Sequence, residues 1–191
     1  EYGCLARFFN NYADEVSFAK KNNFTFMQLW YDHRGLVLHE NDFPVIDILR
    51  KYDYPTIIHA VLDINEFAEH IPKLTELLKN LNHKELIIHP VCKSELIDKK
   101  TNNKLCENVK NALESLKAEE IALYLENNSK LDPIFQKSDD IAYIFDENKD
   151  LEFLLDLAHI DDIEHLKRLV SIKMPKILHL ADRNLENIHE H

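Results

Sequence analysis

The chain has 191 residues, 45% of them hydrophobic, which is enough apolar material for one compact domain with its own core. Its formal net charge is −11, from 34 acidic and 23 basic residues, and no run of five or more Lys or Arg residues occurs, so duplex nucleic acid is a disfavoured partner. Gly3 and Gly35 are the only glycines, which excludes glycine-rich phosphate loops of the P-loop and dinucleotide-binding types.

The sequence indicates an intracellular protein without a membrane partner. No apolar stretch approaches the roughly 18 residues that cross a bilayer, and the first residues, EYGCLARFF, lack the zones of a signal peptide. A cytoplasmic location is therefore expected. Cys4, Cys92 and Cys106 are scattered and form no C-x-x-C pair, so we expect three reduced thiols rather than disulfides or a thiolate zinc site.

Seven short apolar runs are predicted as β-strands. Most are nearly continuous in apolar residues, which is typical of parallel strands covered on both faces. In chain order the predicted strands are residues 2–7, 24–32, 56–63, 85–91, 121–128, 152–159 and 176–182. Helical spacing of apolar residues predicts helices over residues 14–22, 43–52, 66–81, 103–117 and 162–171, with short helical pieces at 132–136 and 139–143.

The predicted strands begin about every 30 residues, which is the length of one βα unit. This alternation predicts an α/β fold with a parallel sheet and outer helices. Polar residues follow many of the strands, and a barrel assembles its site from the carboxyl ends of many strands. We therefore predict a TIM (β/α)8-type barrel rather than an open doubly wound sheet, which would concentrate its chemistry at one switch point.

Only seven of the eight βα units of such a barrel are present. We expect residues 1–191 to form a single barrel domain that is incomplete at its carboxyl end, with the eighth strand missing. Seven parallel strands would leave two open edges with unpaired backbone groups. The closing strand would come either from further residues of the natural protein or from another chain, as in a homo-oligomer.

Histidine and carboxylate residues recur near the ends of the predicted strands. They are His59, His89, Glu126, Asp156, His159 and His179. Such groups are costly to bury unless they are paired or coordinated, so their repeated position predicts one shared site. Imidazole and carboxylate donors without thiolate suit Zn²⁺, Mn²⁺, Co²⁺ or Fe²⁺ better than Mg²⁺ or Ca²⁺, which prefer all-oxygen sites. Five other histidines are expected to be ordinary surface residues in helices or loops: His33, His39, His70, His83 and His165.

Taken in this order, the motifs resemble those of the xylose-isomerase-like TIM barrels. This superfamily holds sugar isomerases and epimerases together with the type IV apurinic-site endonucleases, and the resemblance runs through the whole chain. Its marks are His59 in IIHAVLDIN, His89 in IIHPV, the Glu126-Asn127 pair in LENN, Asp156 and His159 in D-x-x-H, and His179 with Asp182 in HLAD. The closing NIHEH is similar to the start of the family's His-x-Pro-x-Gly segment, with His191 as its histidine.

The isomerase and epimerase branch implies one divalent metal, Mn²⁺, Mg²⁺ or Co²⁺, held by Glu126, Asp156, His179 and a glutamate after the missing eighth strand. The metal would polarise the hydroxyl and carbonyl of a ketose, while Glu126 and the second glutamate exchange the proton on the carbon between them. His159 would orient substrate oxygens. The resemblance thus implies a metal-dependent isomerase or epimerase that acts on a sugar or sugar phosphate by proton transfer next to a carbonyl.

The endonuclease branch is the alternative, and it implies a zinc phosphodiesterase acting at abasic sites in DNA. Its three-zinc cluster adds histidines from the third and fourth strands and the last loop, which are His59, His89 and His191 here. Against this branch, no glycine follows LENN, His189 stands where the branch has an aspartate, and the acidic balance is wrong for gripping DNA. Related non-nuclease members also retain the histidines on strands three and four, so these two residues do not decide between the branches.

A third class is a barrel that binds a small polyol or phosphate without turning it over. Glutamate is usual after the second strand in much of the superfamily, whereas this chain has Gln28, which can bond a substrate hydroxyl but cannot act as a base. The residues expected to contact substrate are Gln28, Trp30, Asn127 and Asp182. Trp30, Tyr31 and Phe8 lie at the ends of the first two strands, where they either stack on a sugar face or pack in the core.

Overall fold

A computed structural model describes residues 1–39 and 44–181. The strands are β1 (Gly3–Leu5), β2 (Phe26–Asp32), β3 (Gly35–Leu36), β4 (Thr56–Asp63), β5 (Glu85–Val91), β6 (Ala122–Glu126), β7 (Glu152–Asp156) and β8 (Ile177–His179). The helices are α1 (Tyr12–Lys21), α2 (Val45–Tyr52), α3 (Phe67–Leu81), α4 (Lys99–Lys117), α5 (Ser138–Glu147) and α6 (Ile163–Ile172). A single 3₁₀ turn, Leu157–His159, follows β7. The predicted α/β alternation is confirmed.

The strands form one sheet in the order β1-β2-β4-β5-β6-β7-β8, and every pair along this path is parallel. The short strand β3, which the sequence did not predict, pairs with β2 in the antiparallel direction. The sheet is curved, because side chains of β2 and β8, which are not neighbours in the sheet, meet across its interior. The described residues therefore supply the seven parallel strands of the predicted TIM-type barrel. That residues 1–191 are one domain, incomplete at its carboxyl end, stays a prediction.

Helix α4 begins earlier than the apolar spacing predicted. It starts at Lys99 rather than at residue 103, because the Asp98 side chain accepts hydrogen bonds from the backbone of Lys100 and Thr101 and completes a capping box. The short helix predicted over residues 132–136 is wrong, since these residues form turns, and the piece predicted over 139–143 is part of α5. Within the described residues, no helix is both long and apolar enough to cross a membrane.

The strands predicted over residues 121–128 and 152–159 end earlier in the structure. Strand β6 stops at Glu126 and β7 at Asp156. Asp156 ends its strand because its Oδ1 accepts a hydrogen bond from the backbone N–H of Ala158 at 2.7 Å and so caps the 3₁₀ turn. His159 consequently lies in this turn and not on a strand.

Two histidines predicted to be surface residues are buried, so that part of the prediction is wrong. His70 on α3 is 3% exposed, and its Nδ1 lies 2.9 Å from the Tyr31 hydroxyl oxygen. His165 on α6 is also 3% exposed, and its Nε2 lies 3.1 Å from the carbonyl oxygen of Gln136. Each ring thus has a hydrogen-bonding partner, His70 between the sheet and a helix and His165 between a helix and a loop. These partners offset the cost of burying the polar ring nitrogens.

Candidate metal centre

The period-two geometry of the strands places the polar residues above an apolar layer inside the barrel. A small apolar cluster consists of Ile87, Tyr124 and Leu154, with Ile57, Ala122 and Ile177 packed against it. Residues two apart on a strand face the same side, so the residue two positions after a cluster member projects into the interior above it. Five of the predicted site residues stand at these positions: His59, His89, Glu126, Asp156 and His179.

Glu126 is the centre of the arrangement. Its side chain is 2% exposed, and histidine ring nitrogens lie close to both carboxylate oxygens. Oε2 lies 2.9 Å from Nε2 of His59 and 3.4 Å from Nδ1 of His89, whereas Oε1 lies 3.1 Å from Nδ1 of His179. His159 Nδ1 is farther away, 4.0 Å from Oε1. Strands β4, β5 and β8 and the turn after β7 thus direct histidine side chains toward the buried carboxylate at the end of β6.

Asp156 adds a second carboxylate next to the first. Its Oδ2 lies 3.7 Å from Nδ1 of His179, and the register of β7 and β8 places the two residues directly beside each other. The backbone of Asp156 is held by the fully buried Asn127: the backbone N–H donates to Asn127 Oδ1 at 2.8 Å, and Asn127 Nδ2 donates to the Asp156 carbonyl at 3.2 Å. This double contact favours a positioning role for Asn127 over the predicted contact with substrate.

Two atoms at the centre of this cluster are buried without a hydrogen-bonding partner among the described residues. They are Nε2 of His59 and Oε2 of Glu126. Although the two atoms are 2.9 Å apart, the N–H direction of the ring does not suit a hydrogen bond between them. An unsatisfied buried nitrogen and carboxylate oxygen facing one another are costly in a purely structural arrangement, and they are the donor atoms that a divalent cation takes.

The charges within the cluster are strongly coupled. Burial alone would raise the pKa of Glu126, but the charges of His89 and His59 and the hydrogen bond with His179 outweigh it and hold that pKa well below its usual range. Burial opposes protonation of His179, yet its contacts with Asp156 and Glu126 raise its pKa to about 9. For His59 burial prevails, and the pKa is lowered. The pocket therefore keeps Glu126 ionised and attracts positive charge.

Ligand atoms of this cluster group into two sets of three that share Glu126. One set is His59, His89 and Glu126, and the other is Glu126, Asp156 and His159; within each set the ligand atoms lie within 4.8 Å of one another. The ion pairs found for Glu126 and Asp156 among the described residues are all with histidines. Imidazole and carboxylate donors at this spacing fit a divalent transition metal.

Of the residues that the sequence offers for contact with substrate, some lie at the cluster and others do not. Gln28 reaches the cluster, with its Nε2 2.8 Å from Nε2 of His179, and the Trp30 ring lies with its centroid 5.6 Å from that of His59. Tyr31 faces the opposite side of β2 and bonds His70, so it packs in the core between sheet and helices. Phe8 is 59% exposed and contacts Phe9 edge to face. The sequence left stacking and core packing open for these aromatic residues, and Tyr31 takes the core alternative.

Three other residues were predicted for the site, and only one of them, His159, lies within the described residues. His159 is buried beside the cluster, with Nδ1 2.6 Å from the carbonyl oxygen of Asn127, so this nitrogen is engaged by the backbone. Asp182 and His191 lie outside the described residues, and their predicted roles in substrate and metal binding stay predictions.

Asp132 is a neighbour of the cluster that the sequence did not single out. It lies in the loop after β6, its Oδ1 is buried without a hydrogen-bonding partner among the described residues, and its charge acts on His89. Burial raises the pKa of its carboxyl group. The residue lies in a turn segment for which apolar spacing predicts a helix, and it does not follow the end of a predicted strand directly.

Comparison with known proteins gives similarity in structure only. No family model and no curated protein matches the sequence. Among solved structures, D-allulose 3-epimerase from Methylomonas sp. in complex with D-allulose has a TM-score of 0.75 at 14% identity, over 95% of this chain and 72% of that chain. The IOLI protein with a binding zinc atom has a TM-score of 0.66 at 12% identity, over 91% of this chain and 70% of that chain.

An AP endonuclease of family 2 from Brucella melitensis is also similar, with a TM-score of 0.63 at 15% identity over 89% of this chain and 73% of that chain. Both branches that the sequence motifs resemble are thus represented among the structural neighbours. All three proteins are xylose-isomerase-like TIM barrels. At 12–15% identity these likenesses show the fold alone, and the protein shares the TIM-barrel fold of these neighbours, with seven parallel strands among its described residues.

Proposed function

We propose that this chain is a divalent-metal-dependent isomerase or epimerase of sugars or sugar phosphates, acting by proton transfer next to a carbonyl. The observation that carries the proposal is the meeting of Glu126, Asp156 and His179 from three successive parallel strands. His179 Nδ1 lies 3.1 Å from one carboxylate and 3.7 Å from the other at the buried carboxyl end of the sheet. In TIM barrels this end carries the active site.

Glu126, Asp156 and His179 would hold the metal, and it would be Mn²⁺, Mg²⁺, Co²⁺ or Zn²⁺. When bound, a divalent metal polarises the carbonyl and hydroxyl oxygens of a ketose. The fit is supported by the two buried carboxylates, which have histidines and no lysine or arginine as ion-pair partners among the described residues. A buried carboxylate pair of this kind is costly unless cations compensate for it.

Glu126 would act as a base toward the carbon-bound proton of the substrate. Its lowered pKa keeps the carboxylate ionised, so that it can accept a proton. General bases of this kind contribute about 10² to 10⁴ in rate. His159 is proposed to orient substrate oxygens, and Trp30, half-buried beside His59, to border the sugar.

The structural neighbours support the substrate class. One of them is a D-allulose 3-epimerase in complex with D-allulose, and another is the IOLI protein with a zinc atom. At 14% and 12% identity these likenesses concern the fold, so the choice of a sugar substrate rests on the fold together with the carboxylate and histidine cluster. The absence of glycine-rich phosphate loops is consistent with a site that binds its substrate through metal and side chains.

The test is solvent exchange at the substrate carbon. The protein, loaded with Mn²⁺ or Co²⁺, is incubated in D₂O with D-allulose, D-tagatose, D-fructose, ketopentoses and their phosphates, and NMR reports deuterium next to the carbonyl. Exchange with at least one sugar, abolished by removal of the metal, is the expected result. A metal-loaded protein that exchanges no proton in any of these sugars would contradict the proposal.

A zinc phosphodiesterase acting at abasic sites in DNA is the second candidate. It is favoured by one observation, the donor set of His59, His89 and Glu126, in which the two ring nitrogens lie 2.9 and 3.4 Å from Oε2 of Glu126. The isomerase proposal gives these two histidines no metal to bind. The AP endonuclease fold neighbour agrees with this candidate, whereas the net charge of −11 opposes an encounter with DNA.

Metal stoichiometry separates the two candidates. About one Mn²⁺, Mg²⁺ or Co²⁺ for each chain supports the isomerase, whereas up to three Zn²⁺ with cleavage of an abasic-site duplex supports the nuclease. His59→Gln sharpens the distinction, because it removes a donor of the set formed by His59, His89 and Glu126 and leaves Asp156 and His179 in place. The isomerase proposal expects His59→Gln to keep its metal, and the nuclease alternative expects it to lose zinc.

A further inference from the structure

Gln28 and His179 form a contact across the barrel interior that the chemistry above does not use. Gln28 lies in the middle of β2 and is 8% exposed, whereas His179 ends β8. These strands are not neighbours in the sheet, and 151 positions separate the two residues in the chain. The 2.8 Å distance between their Nε2 atoms is nevertheless that of a good hydrogen bond.

The contact divides the two ring nitrogens of His179 between different partners. Nδ1 faces the carboxylates, 3.1 Å from Glu126 Oε1 and 3.7 Å from Asp156 Oδ2, and Nε2 faces Gln28. A nitrogen that binds a metal must be unprotonated, and a neutral imidazole carries its proton on the other nitrogen. If Nδ1 is the ligand atom, Nε2 carries the proton and requires an acceptor.

A carboxamide can serve both protonation states of Nε2. In the orientation that the structure shows, the NH₂ group of Gln28 faces the ring and suits an unprotonated Nε2. A half-turn of the terminal amide brings Oε1 to the same place, where it accepts a hydrogen bond from a protonated Nε2. An ionised glutamate at this position could only accept, and an apolar side chain could do neither.

We propose that Gln28 is a positioning residue, whose amide holds Nε2 of His179 and thereby keeps Nδ1 turned toward Glu126 and Asp156 as a metal ligand. Partners of this kind fix the orientation of a ligating histidine, and losing one weakens metal binding by about 10-fold to 100-fold. The inference rests on the proposed function in one respect, that His179 binds the metal. It replaces the expected contact of Gln28 with substrate by a contact with a ligand.

The test compares two substitutions at Gln28 with a matched control. Gln28→Met keeps the length of the side chain and removes both hydrogen-bonding groups, whereas Gln28→Glu keeps an acceptor. Gln136→Met is the control, because Gln136 is equally buried and its amide bonds Asp161, away from the cluster. Co²⁺ affinity is measured by competition titration, and folding is checked by thermal unfolding.

Gln28→Met is expected to bind Co²⁺ about 10-fold to 100-fold more weakly than wild type, with Gln28→Glu restored and Gln136→Met unchanged. A spectroscopic readout accompanies the affinities: in zinc-loaded protein with ¹⁵N-histidine, the Nε2 proton of His179 should exchange slowly with water in wild type and Gln28→Glu. If Gln28→Met does not fold, Gln28→Glu decides, because an acceptor must keep this proton protected. Equal affinities for Gln28→Met and wild type, or an unprotected proton in wild type, would overturn the proposal.

The outcomes distinguish this inference from the proposed function. Metal binding that is indifferent to Gln28, together with carbon-proton exchange, leaves the isomerase proposal standing and removes this one. Metal binding that depends on Gln28, without proton exchange on any sugar, supports the role of Gln28 and contradicts the isomerase proposal. A wild-type protein that binds neither Co²⁺ nor Zn²⁺ overturns both.

Discussion

Asn127 and Asp156 are joined by two hydrogen bonds between the side chain of the first and the backbone of the second, at 2.8 and 3.2 Å. Strand β6 has ended at Glu126, so the amide of Asn127 continues the contact between β6 and β7 beyond the last backbone pair. This contact keeps Asp156 beside Glu126. A residue predicted to touch substrate therefore stabilises the placement of a candidate metal ligand.

Asn127→Ala should destabilise the protein and weaken metal binding together. It leaves the N–H and C=O of Asp156 without their partners in a buried place, which costs about 1–3 kcal/mol for each group. Asn111→Ala, an exposed position on α4, is the control and should change the free energy of unfolding by less than about 0.5 kcal/mol. Urea unfolding measures both, and equal stability of the two variants would refute the positioning role.

Asp156→Asn should abolish metal binding while the fold is kept. The amide retains an oxygen that can cap the turn at Ala158, as Oδ1 does now, but it removes the negative charge beside His179. Asp162→Asn is the matched control, since Asp162 caps α6 by accepting from the backbone of His165 and lies outside the cluster. Elemental analysis of the purified proteins checks metal content, and normal metal content in Asp156→Asn would rule out this ligand.

Glu126→Gln should stop exchange of the carbon-bound proton of the substrate with solvent, by at least the factor of about 10² that a general base supplies. The amide has nearly the same shape, and circular dichroism should show a folded protein. Glu85→Gln is the control on the neighbouring strand β5, because Glu85 bonds the Tyr124 hydroxyl at the amino end of that strand. Deuterium exchange at near wild-type rate in Glu126→Gln would exclude the proposed role.

Asp63 should contribute stability that is lost in acid. Burial alone would raise its pKa, but hydrogen bonds from the backbone of Lys93 and Asn65 and from the Asn65 side chain outweigh it and lower the pKa. A folded pKa below the unfolded one means that the contribution is complete above the unfolded value of about 3.9 and disappears as pH falls through the folded value.

The stability difference between wild type and Asp63→Asn should therefore be constant above about pH 5 and shrink below about pH 4. Chemical unfolding across this range measures it. Asp146→Asn, whose carboxylate is 76% exposed, should show no comparable difference at any pH. A difference for Asp63→Asn that grows in acid would show that the sign is wrong.

The parallel strands and the position of the site at their carboxyl ends could be predicted from the sequence. Nearly continuous apolar runs such as LIIHPV indicate parallel strands covered on both faces, and a polar residue near the end of each run predicts a shared site at the carboxyl edge. This rule predicts that His59, His89, Glu126, Asp156 and His179 lie together, and the structure brings them together. The ends of elements were less accessible, because the cap at Asp98 and the turn at Asp156 depend on local hydrogen bonds that apolar spacing does not register.

Which face each side chain takes was decided by the tertiary structure. Trp30 and Tyr31 are adjacent aromatic residues on β2, and both were candidates for the substrate face, yet the first borders His59 and the second bonds the buried His70 outside the barrel. The contact of Gln28 was also decided by the tertiary structure, because its partner His179 is 151 positions away in the chain. Composition and periodicity report which residues are buried, but a strand with apolar residues on both faces carries no mark of which face is inner. That assignment is made by the register of neighbouring strands and the curvature of the sheet, which bring distant residues into contact.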